Sequence, residues 1–179
     1  MLVLLVALAV GLWAGAVAGG RLANIQHLRL NQPWLVLAAL GLQLIVFSPL
    51  APHLGAPTVV GLHLLSYALL LAFAVPNRHI VGILVTATGM TCNALVIVLN
   101  GGYMPATRSA LRTAAQLYTG DTFGNSRLAD HGTRLLFLGD VLAVPHALPF
   151  ANVFSIGDVL VAGGVAILLA GAMTAQPQE

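Results

Sequence analysis

One uninterrupted apolar run indicates the class of protein: IVGILVTATGMTCNALVIVL, residues 80–99. A helix of about 20 apolar residues crosses the hydrocarbon core of a bilayer, which is roughly 30 Å thick. Runs of similar length and composition occupy residues 2–18, 34–50, 57–75 and 157–173. Their polar positions do not alternate as the strands of an outer-membrane barrel do. The sequence therefore predicts an all-α integral membrane protein with five transmembrane helices.

The overall composition supports a membrane protein and excludes several functions. Hydrophobic residues make up 59% of the chain and charged residues 7%, which leaves too much apolar surface for a soluble domain. The net charge of +2 comes from seven scattered Arg, so the lipid bilayer is the expected partner and nucleic acid is not. Cys92 is the only cysteine, which excludes an intrachain disulfide. The six His show neither haem nor metal-ligand spacing, so no cofactor is expected.

The distribution of arginine predicts the orientation in the membrane. Arg21 and Arg29 fill the first connection between the runs, and Arg78 fills the third. The positive-inside rule places these connections in the cytoplasm. With five spans, the amino terminus and the loop between helices four and five face outward, and the tail Gln176–Glu179 faces inward. The first run has no basic residue before it, so we expect a retained signal anchor in a bacterial inner membrane.

Three parts are expected along the chain: a four-helix part at 1–99, an outward-facing cap at 100–154, and the fifth helix with its tail at 155–179. Within the cap, the sequence from Ser109 predicts a short interfacial helix. The apolar segment 135–144 is broken by Gly139-Asp140 and closed by Pro145. It is too short to span and resembles a re-entrant segment at the membrane surface.

Two Gly-Asp pairs are the strongest candidates for chemistry. Asp140 and Asp158 each follow a glycine, which lets backbone or ligand approach closely. If the cap folds back over the last helix, both carboxyl groups meet at the outer membrane surface. When two carboxyl groups share a poorly hydrated site, their pKa values move apart. The ionised group can then act as general base and the protonated group as general acid. The pair is predicted to activate water for hydrolysis without a metal.

A purely structural interpretation of the same two residues stands beside the catalytic one. The sequence Ser155-Ile-Gly-Asp158 fits a capping box, in which the serine and the aspartate cap the start of the last helix. In that case Asp140 is expected to form a salt bridge with Arg134. The sequence does not decide between the two interpretations.

The carboxyl-terminal part of the chain resembles lipoprotein signal peptidases. The shared order of residues is Gly124-Asn125, Asp130, Arg134, Gly139-Asp140, and Phe154-Ser-Ile-Gly-Asp158 followed by Gly164. The resemblance implies an aspartate-dependent peptidase with Asp140 and Asp158 as its catalytic residues. The chain departs from that pattern by Ser155 in place of Asn, by Gly157 in place of Ala, by a longer spacing from Asn125 to Asp130, and by five spans instead of four.

Over its whole length the chain is similar to a bacterial family of uncharacterised multi-pass membrane proteins. The residues that carry this resemblance are the Asn-Gly-Gly-x-Met-Pro turn at 100–105 and the Ser-Ile-Gly-Asp helix start at 155–158. That family implies no established activity.

Further polar residues are candidates for binding. Asn125 and Arg134 are expected to orient the cap or a substrate, while Asn100 and Tyr103, at the end of the fourth helix, are expected to line a pocket for a headgroup or peptide. Asn93 and Gln43 lie at membrane depth and are predicted to form hydrogen bonds between helices.

Two functions follow as alternatives. The first is an aspartate-dependent hydrolase or peptidase that acts on a membrane-embedded peptide or lipid. The second is a non-catalytic subunit of a larger membrane complex, docked through small residues that allow close helix contact. These residues are Gly11, Gly15 and Gly19 in the first helix and Gly163, Gly164 and Gly171 in the last.

Overall fold

The computed structural model describes residues 2–116, 122–123 and 126–175, and each predicted apolar run folds as a helix within them. The five helices are α1 (Leu2–Val17), α2 (Trp34–Val46), α4 (Ala56–Ala74), α5 (Val81–Leu99) and α7 (Ile156–Thr174), and a short helix α3 (Ala51–Leu54) lies between α2 and α4. The predicted tail 176–179 lies outside the described residues.

Three helices of the described chain, α4, α5 and α7, are long and apolar enough to cross a membrane. Each has 19 residues, which corresponds to roughly 28 Å of helix. The helices α1 and α2 are also apolar, but they have 16 and 13 residues. The chain is therefore mostly helical, with apolar helices typical of a membrane protein.

Helix α2 is shorter than the apolar run that contains it. The run was predicted to continue to Leu50, but the helix ends at Val46. Beyond it, the Ser48 hydroxyl donates to the carbonyl oxygen of Ile45 at 2.7 Å and accepts from the N–H of Leu50 at 3.1 Å. These local bonds compete with the helical pattern and turn the chain into α3.

Glycines allow α7 to pack closely on two neighbours. On α5, a Cβ added to Gly82 would lie 2.5 Å from the backbone nitrogen of Leu168, and one added to Gly89 would overlap the carbonyl oxygen of Gly157. On α1, a Cβ added to Gly11 would lie 2.8 Å from the carbonyl oxygen of Ala166. Small residues at such contacts let helix backbones approach each other.

These contacts also account for three of the six small residues that were predicted to dock a partner. Gly11 and Gly15 face α7, and Gly164 faces Thr86 of α5. By contrast, Gly19, Gly163 and Gly171 have no described atom within 4 Å of an added Cβ.

Polar contacts connect the helices at the end opposite the cap. The Asn77 side chain is fully buried, donates to the carbonyl oxygens of Asn31 at 2.9 Å and Phe73 at 2.8 Å, and accepts from the N–H of Asn31 at 2.8 Å. The N–H of Arg21 donates to the carbonyl oxygen of Met173 at 2.9 Å. The end of α4 therefore contacts the segment before α2, and the segment after α1 contacts the end of α7, near the connections that carry Arg78 and Arg21.

The cap (residues 100–154) contains short strands that an all-α prediction did not include. They are β1 (Met104–Ala106), β2 (Thr122–Phe123), β3 (Ser126–Leu128), β4 (Leu142–Ala143) and β5 (Val153–Phe154). Strand β3 lies between β1, to which it is parallel, and β2, to which it is antiparallel. Strands β4 and β5 form an antiparallel pair. Strands of two or three residues are too short to show an alternating pattern in the sequence.

The predicted short helix of the cap is present as α6 (Arg108–Thr113), whose N-cap Thr107 accepts a hydrogen bond from the N–H of Ala110 at 3.3 Å. The segment 135–144 has no helical span. It forms a 3-10 turn (Leu136–Leu138) and then the strand β4. Its Phe137 is 62% exposed, so an apolar ring projects from the surface of the cap.

Candidate functional site

Strand β1 fixes the backbone of Asp140. The N–H of Asp140 donates to the carbonyl oxygen of Pro105 at 2.8 Å, and its carbonyl oxygen accepts from the N–H of Thr107 at 3.1 Å. A Cβ added to the preceding Gly139 would overlap the carbonyl oxygen of Pro105. The first Gly-Asp pair therefore has its glycine because two backbone segments touch there.

The Asp140 side chain is buried in the cap, with only 5% of the residue exposed. The Ser126 hydroxyl donates to its Oδ2 at 2.8 Å. Burial raises the pKa of Asp140 to about 7, the hydrogen bond from Ser126 opposes this rise, and the charge of Asp158 adds to it.

The predicted salt bridge between Asp140 and Arg134 is absent from the described residues. Instead, the side chain of Asn100 holds the backbone of Arg134, accepting from its N–H and donating to its carbonyl oxygen, both at 2.9 Å. The neutral Ser126 hydroxyl is therefore the hydrogen-bond partner of Asp140. The salt bridge cannot be inferred or excluded from sequence, because the cap strands decide which groups meet.

Asp158 completes the capping box that its sequence predicts. The Ser155 hydroxyl accepts from the N–H of Asp158 at 3.0 Å, and Oδ2 of Asp158 accepts from the N–H of Ser155 at 2.9 Å. This arrangement satisfies N–H groups at the start of α7. The structural interpretation of Asp158 is thus correct, and it leaves the other carboxylate oxygen available for other contacts.

Asn93 of α5 bonds that second oxygen. Its Nδ2 donates to Oδ1 of Asp158 at 2.8 Å, while its Oδ1 accepts from the Ser155 hydroxyl at 2.8 Å. Gly157 lies between these partners, and a Cβ there would overlap Oδ1 of Asn93. The predicted hydrogen bond between helices at Asn93 is confirmed. The prediction for Gln43 is also confirmed, because its Nε2 donates to the Ser66 hydroxyl of α4 at 3.4 Å.

Asp140 and Asp158 line one cavity of about 290 Å³ at the junction of the cap with the helices. Its other polar walls come from different elements, namely Tyr67 of α4, Asn93 of α5, Ser126 of β3 and Asn152 before β5. The cavity is large enough for several water molecules or for a small part of a substrate. Two carboxyl groups in different surroundings can supply a base and an acid on the same water.

The predicted binding residues lie around a second cavity. Asn100, Tyr103 and Arg134 line a space of about 410 Å³, together with Arg127, whose guanidinium carbon lies 5.7 Å from the centre of the Tyr103 ring. None of the three lines the cavity of the two aspartates. The fourth predicted binding residue, Asn125, lies outside the described residues.

Sequence reasoning did not identify Ser126, Tyr67 and Asn152 as neighbours of the aspartates. Tyr67 lies in α4, far along the chain from both carboxyl groups, and Ser126 lies in a cap strand 14 residues before Asp140. A single serine or tyrosine carries no spacing signal. Asn93 could be identified from the sequence, because a polar amide within an apolar run indicates a specific hydrogen-bond partner.

No group of three or more His, Cys, Asp or Glu side chains comes together as a metal site within residues 2–116, 122–123 and 126–175.

The fold and this cavity together define a helical protein with apolar, membrane-type helices, in which a buried and a half-buried carboxyl group line one cavity beneath a small cap. Residues 27–170 match the model of a family of unknown function (DUF5317), so the chain belongs to that family. No curated protein and no solved structure matches the chain.

Proposed function

We propose that this member of DUF5317 is an aspartate-dependent hydrolase that cleaves an amide or ester bond of a membrane-embedded peptide or lipid. The observation that carries the proposal is the common cavity of Asp140 and Asp158, in which burial, and to a smaller extent the charge of Asp158, raises the pKa of Asp140. Such coupling between carboxyl groups is typical of acid and base pairs in hydrolases.

The two carboxyl groups have different roles in the proposed reaction. With a pKa of about 7, Asp140 retains its proton on a large fraction of molecules near neutral pH and acts as the acid. Asp158, oriented by Asn93 and by the N–H of Ser155, acts as the base. Asp158 accepts a proton from a water molecule while the oxygen of that water attacks the carbonyl carbon of the substrate. Asp140 donates a proton to the leaving amine or alcohol as the old bond breaks.

The membrane arrangement forms part of the proposal. All five helices cross a bacterial inner membrane, with the amino terminus and the cap outside and the carboxyl terminus inside. Two observations support it: Arg21, Arg29 and Arg78 lie on connections at the end opposite the cap, and apolar side chains project from the cap. Phe137 and Phe150, 62% and 57% exposed, would contact the headgroup layer.

Hydrolysis in heavy-oxygen water tests the proposal. The full chain is reconstituted in vesicles that contain phospholipids and a mixture of synthetic single-span peptides, and products are analysed by mass spectrometry. The wild type is expected to release fragments whose new carboxyl group carries heavy oxygen. Asp140→Asn and Asp158→Asn should lower the rate at least about 100-fold, because each removes an acid or base.

Asp130→Asn is the matched control. Asp130 lies in the cap but lines the second cavity, and an asparagine keeps an acceptor for its turn. We expect this variant to keep the wild-type maximal rate at saturating peptide, because Asp130 does not line the cavity of Asp140 and Asp158. Equal activity of the wild type and both site variants, with all proteins folded, would contradict an aspartate-dependent reaction.

The alternative of a non-catalytic subunit has weaker support. Gly11, Gly15 and Gly164 already contact helices of their own chain, so Gly19, Gly163 and Gly171, which have no described atom within 4 Å of an added Cβ, are what remains of the predicted docking residues.

A further inference from the structure

A third cavity, which the proposed hydrolysis does not use, lies between the cap-side ends of α2 and α4. Its volume is about 530 Å³, which is within the range of small-molecule sites. The walls are mainly apolar and include Val46, Pro52, Val59 and Val60. Such a cavity favours the hydrocarbon part of a ligand.

One buried imidazole faces this cavity. His63 lines it, although only 4% of the residue is exposed. No described residue forms a hydrogen bond with its ring nitrogens, whereas its backbone oxygen accepts from the Ser66 hydroxyl at 2.7 Å. The ring nitrogens can therefore accept and donate hydrogen bonds to an atom of a ligand in this cavity.

Aromatic neighbours fix the orientation of this imidazole. Tyr67 stacks on its face, with ring centres 5.2 Å apart and planes at 16°. Phe47 contacts it edge-on, with ring centres 5.4 Å apart and planes at 75°. Tyr67 covers one face of the imidazole, and no described side chain hydrogen-bonds to its nitrogens. The site therefore selects a hydrogen-bonding atom at the end of an apolar body.

The lining also indicates that the ligand is neutral. The polar side chains that line the cavity are Ser48, His63 and Tyr103. No Asp, Glu, Lys or Arg is among the described residues that line it. A charged headgroup would lose its hydration here without an ionic partner. A hydroxyl or carbonyl group needs one or two hydrogen bonds, which an imidazole can donate and accept.

We propose that this cavity, with His63 at its inner wall, binds a neutral amphiphile whose hydroxyl or carbonyl group hydrogen-bonds to the imidazole while its hydrocarbon chain contacts the valines. The site is separate from the hydrolytic proposal and does not depend on it. Phe47 lines both this cavity and that of the aspartates, so the two sites share one aromatic wall.

A hexadecanol analogue that carries an alkyl diazirine is the probe. The purified full chain in detergent is irradiated with increasing probe, and labelled peptides are mapped by mass spectrometry. We expect saturable labelling within residues 46–63 or 102–103, competed by hexadecanol. His63→Phe preserves the ring but removes its nitrogens, and should raise the half-saturating concentration about fivefold, the effect of one hydrogen bond.

His53→Phe is the matched control, since His53 is exposed on α3 and does not line the cavity. The probe should label the His53→Phe variant with the same half-saturating concentration as the wild type. Ala56→Trp fills the cavity from an exposed position and should abolish the labelling. If the His63→Phe variant does not fold, the labelling of the Ala56→Trp variant tests the proposed site alone. Labelling that does not saturate, that maps elsewhere, or that is unchanged in a folded His63→Phe or Ala56→Trp variant would overturn the proposal.

Discussion

Asn93 of α5 donates a hydrogen bond to the carboxylate of Asp158 of α7 at 2.8 Å, across a contact where the two helix backbones nearly touch. The same amide accepts from Ser155, the N-cap residue of α7. One side chain therefore links the packing of two helices, the start of α7 and one wall of the candidate active site.

Replacing Asn93 by Ala should destabilise the protein. The change leaves the Ser155 hydroxyl and one carboxylate oxygen without their partner, which costs about 1–3 kcal/mol. The measurement is thermal unfolding of the purified chain in detergent. Thr91→Ala serves as control, because Thr91 is exposed on the same helix and bonds only the Ala87 carbonyl oxygen. Equal melting temperatures for the two variants would show that the Asn93 contacts contribute little.

Stability should depend on pH through Asp140. Its pKa rises from 3.8 in the unfolded chain to about 7 in the folded one, so the folded state binds more protons between these values. The free energy of unfolding therefore falls as pH rises from 4 to 7, by about 4 kcal/mol at most. Below pH 4 both states are protonated and the effect disappears. Melting curves at several pH values measure it.

The variant Asp140→Asn should lose this pH dependence. Compared with the wild type, we expect it to be clearly more stable at pH 8 and about equally stable at pH 4, because an amide does not ionise. Asp130→Asn, at an exposed position, should retain the wild-type profile. A wild-type profile in Asp140→Asn would assign the pH dependence to other groups.

Substitution by alanine should have different effects on thermal stability at two glycines of α7. At Gly157 the added methyl group overlaps the Asn93 side chain and lies 2.8 Å from the carbonyl oxygen of Gly89, which should cost about 1–3 kcal/mol. Gly163 has no described atom within 4 Å of an added Cβ, so alanine there should be neutral or slightly stabilising through its higher helix propensity. Thermal unfolding in the same detergent compares the pair.

Labelling of single cysteines tests the orientation. In a Cys92→Ala background, His131→Cys in the cap should react with an impermeant thiol reagent on intact cells, and Ala23→Cys should not, because both positions are exposed on the protein and lie at opposite ends of the helices. Ser126 is unsuitable for this purpose, since it is buried and bonded to Asp140. The reverse pattern would place the cap in the cytoplasm.

The sequence by itself determined the helices and their local caps. Apolar runs of sufficient length predict helices at all five places, because apolar length is a local property. The capping box of Asp158 depends on four consecutive residues and was likewise predictable. The early end of α2 was missed, since the hydroxyl of Ser48 bonds the backbone without changing the apolar pattern.

Only the tertiary structure decided which polar groups meet. Asp140 shares a cavity with Asp158 because its backbone is paired with β1, and the strands that hold it are too short to leave a sequence pattern. The partner of Asp140 is Ser126 and not Arg134, and Asn100, Tyr103 and Arg134 belong to a separate cavity. Such contacts depend on long-range packing and burial, which set distances and pKa values that spacing along the chain does not encode.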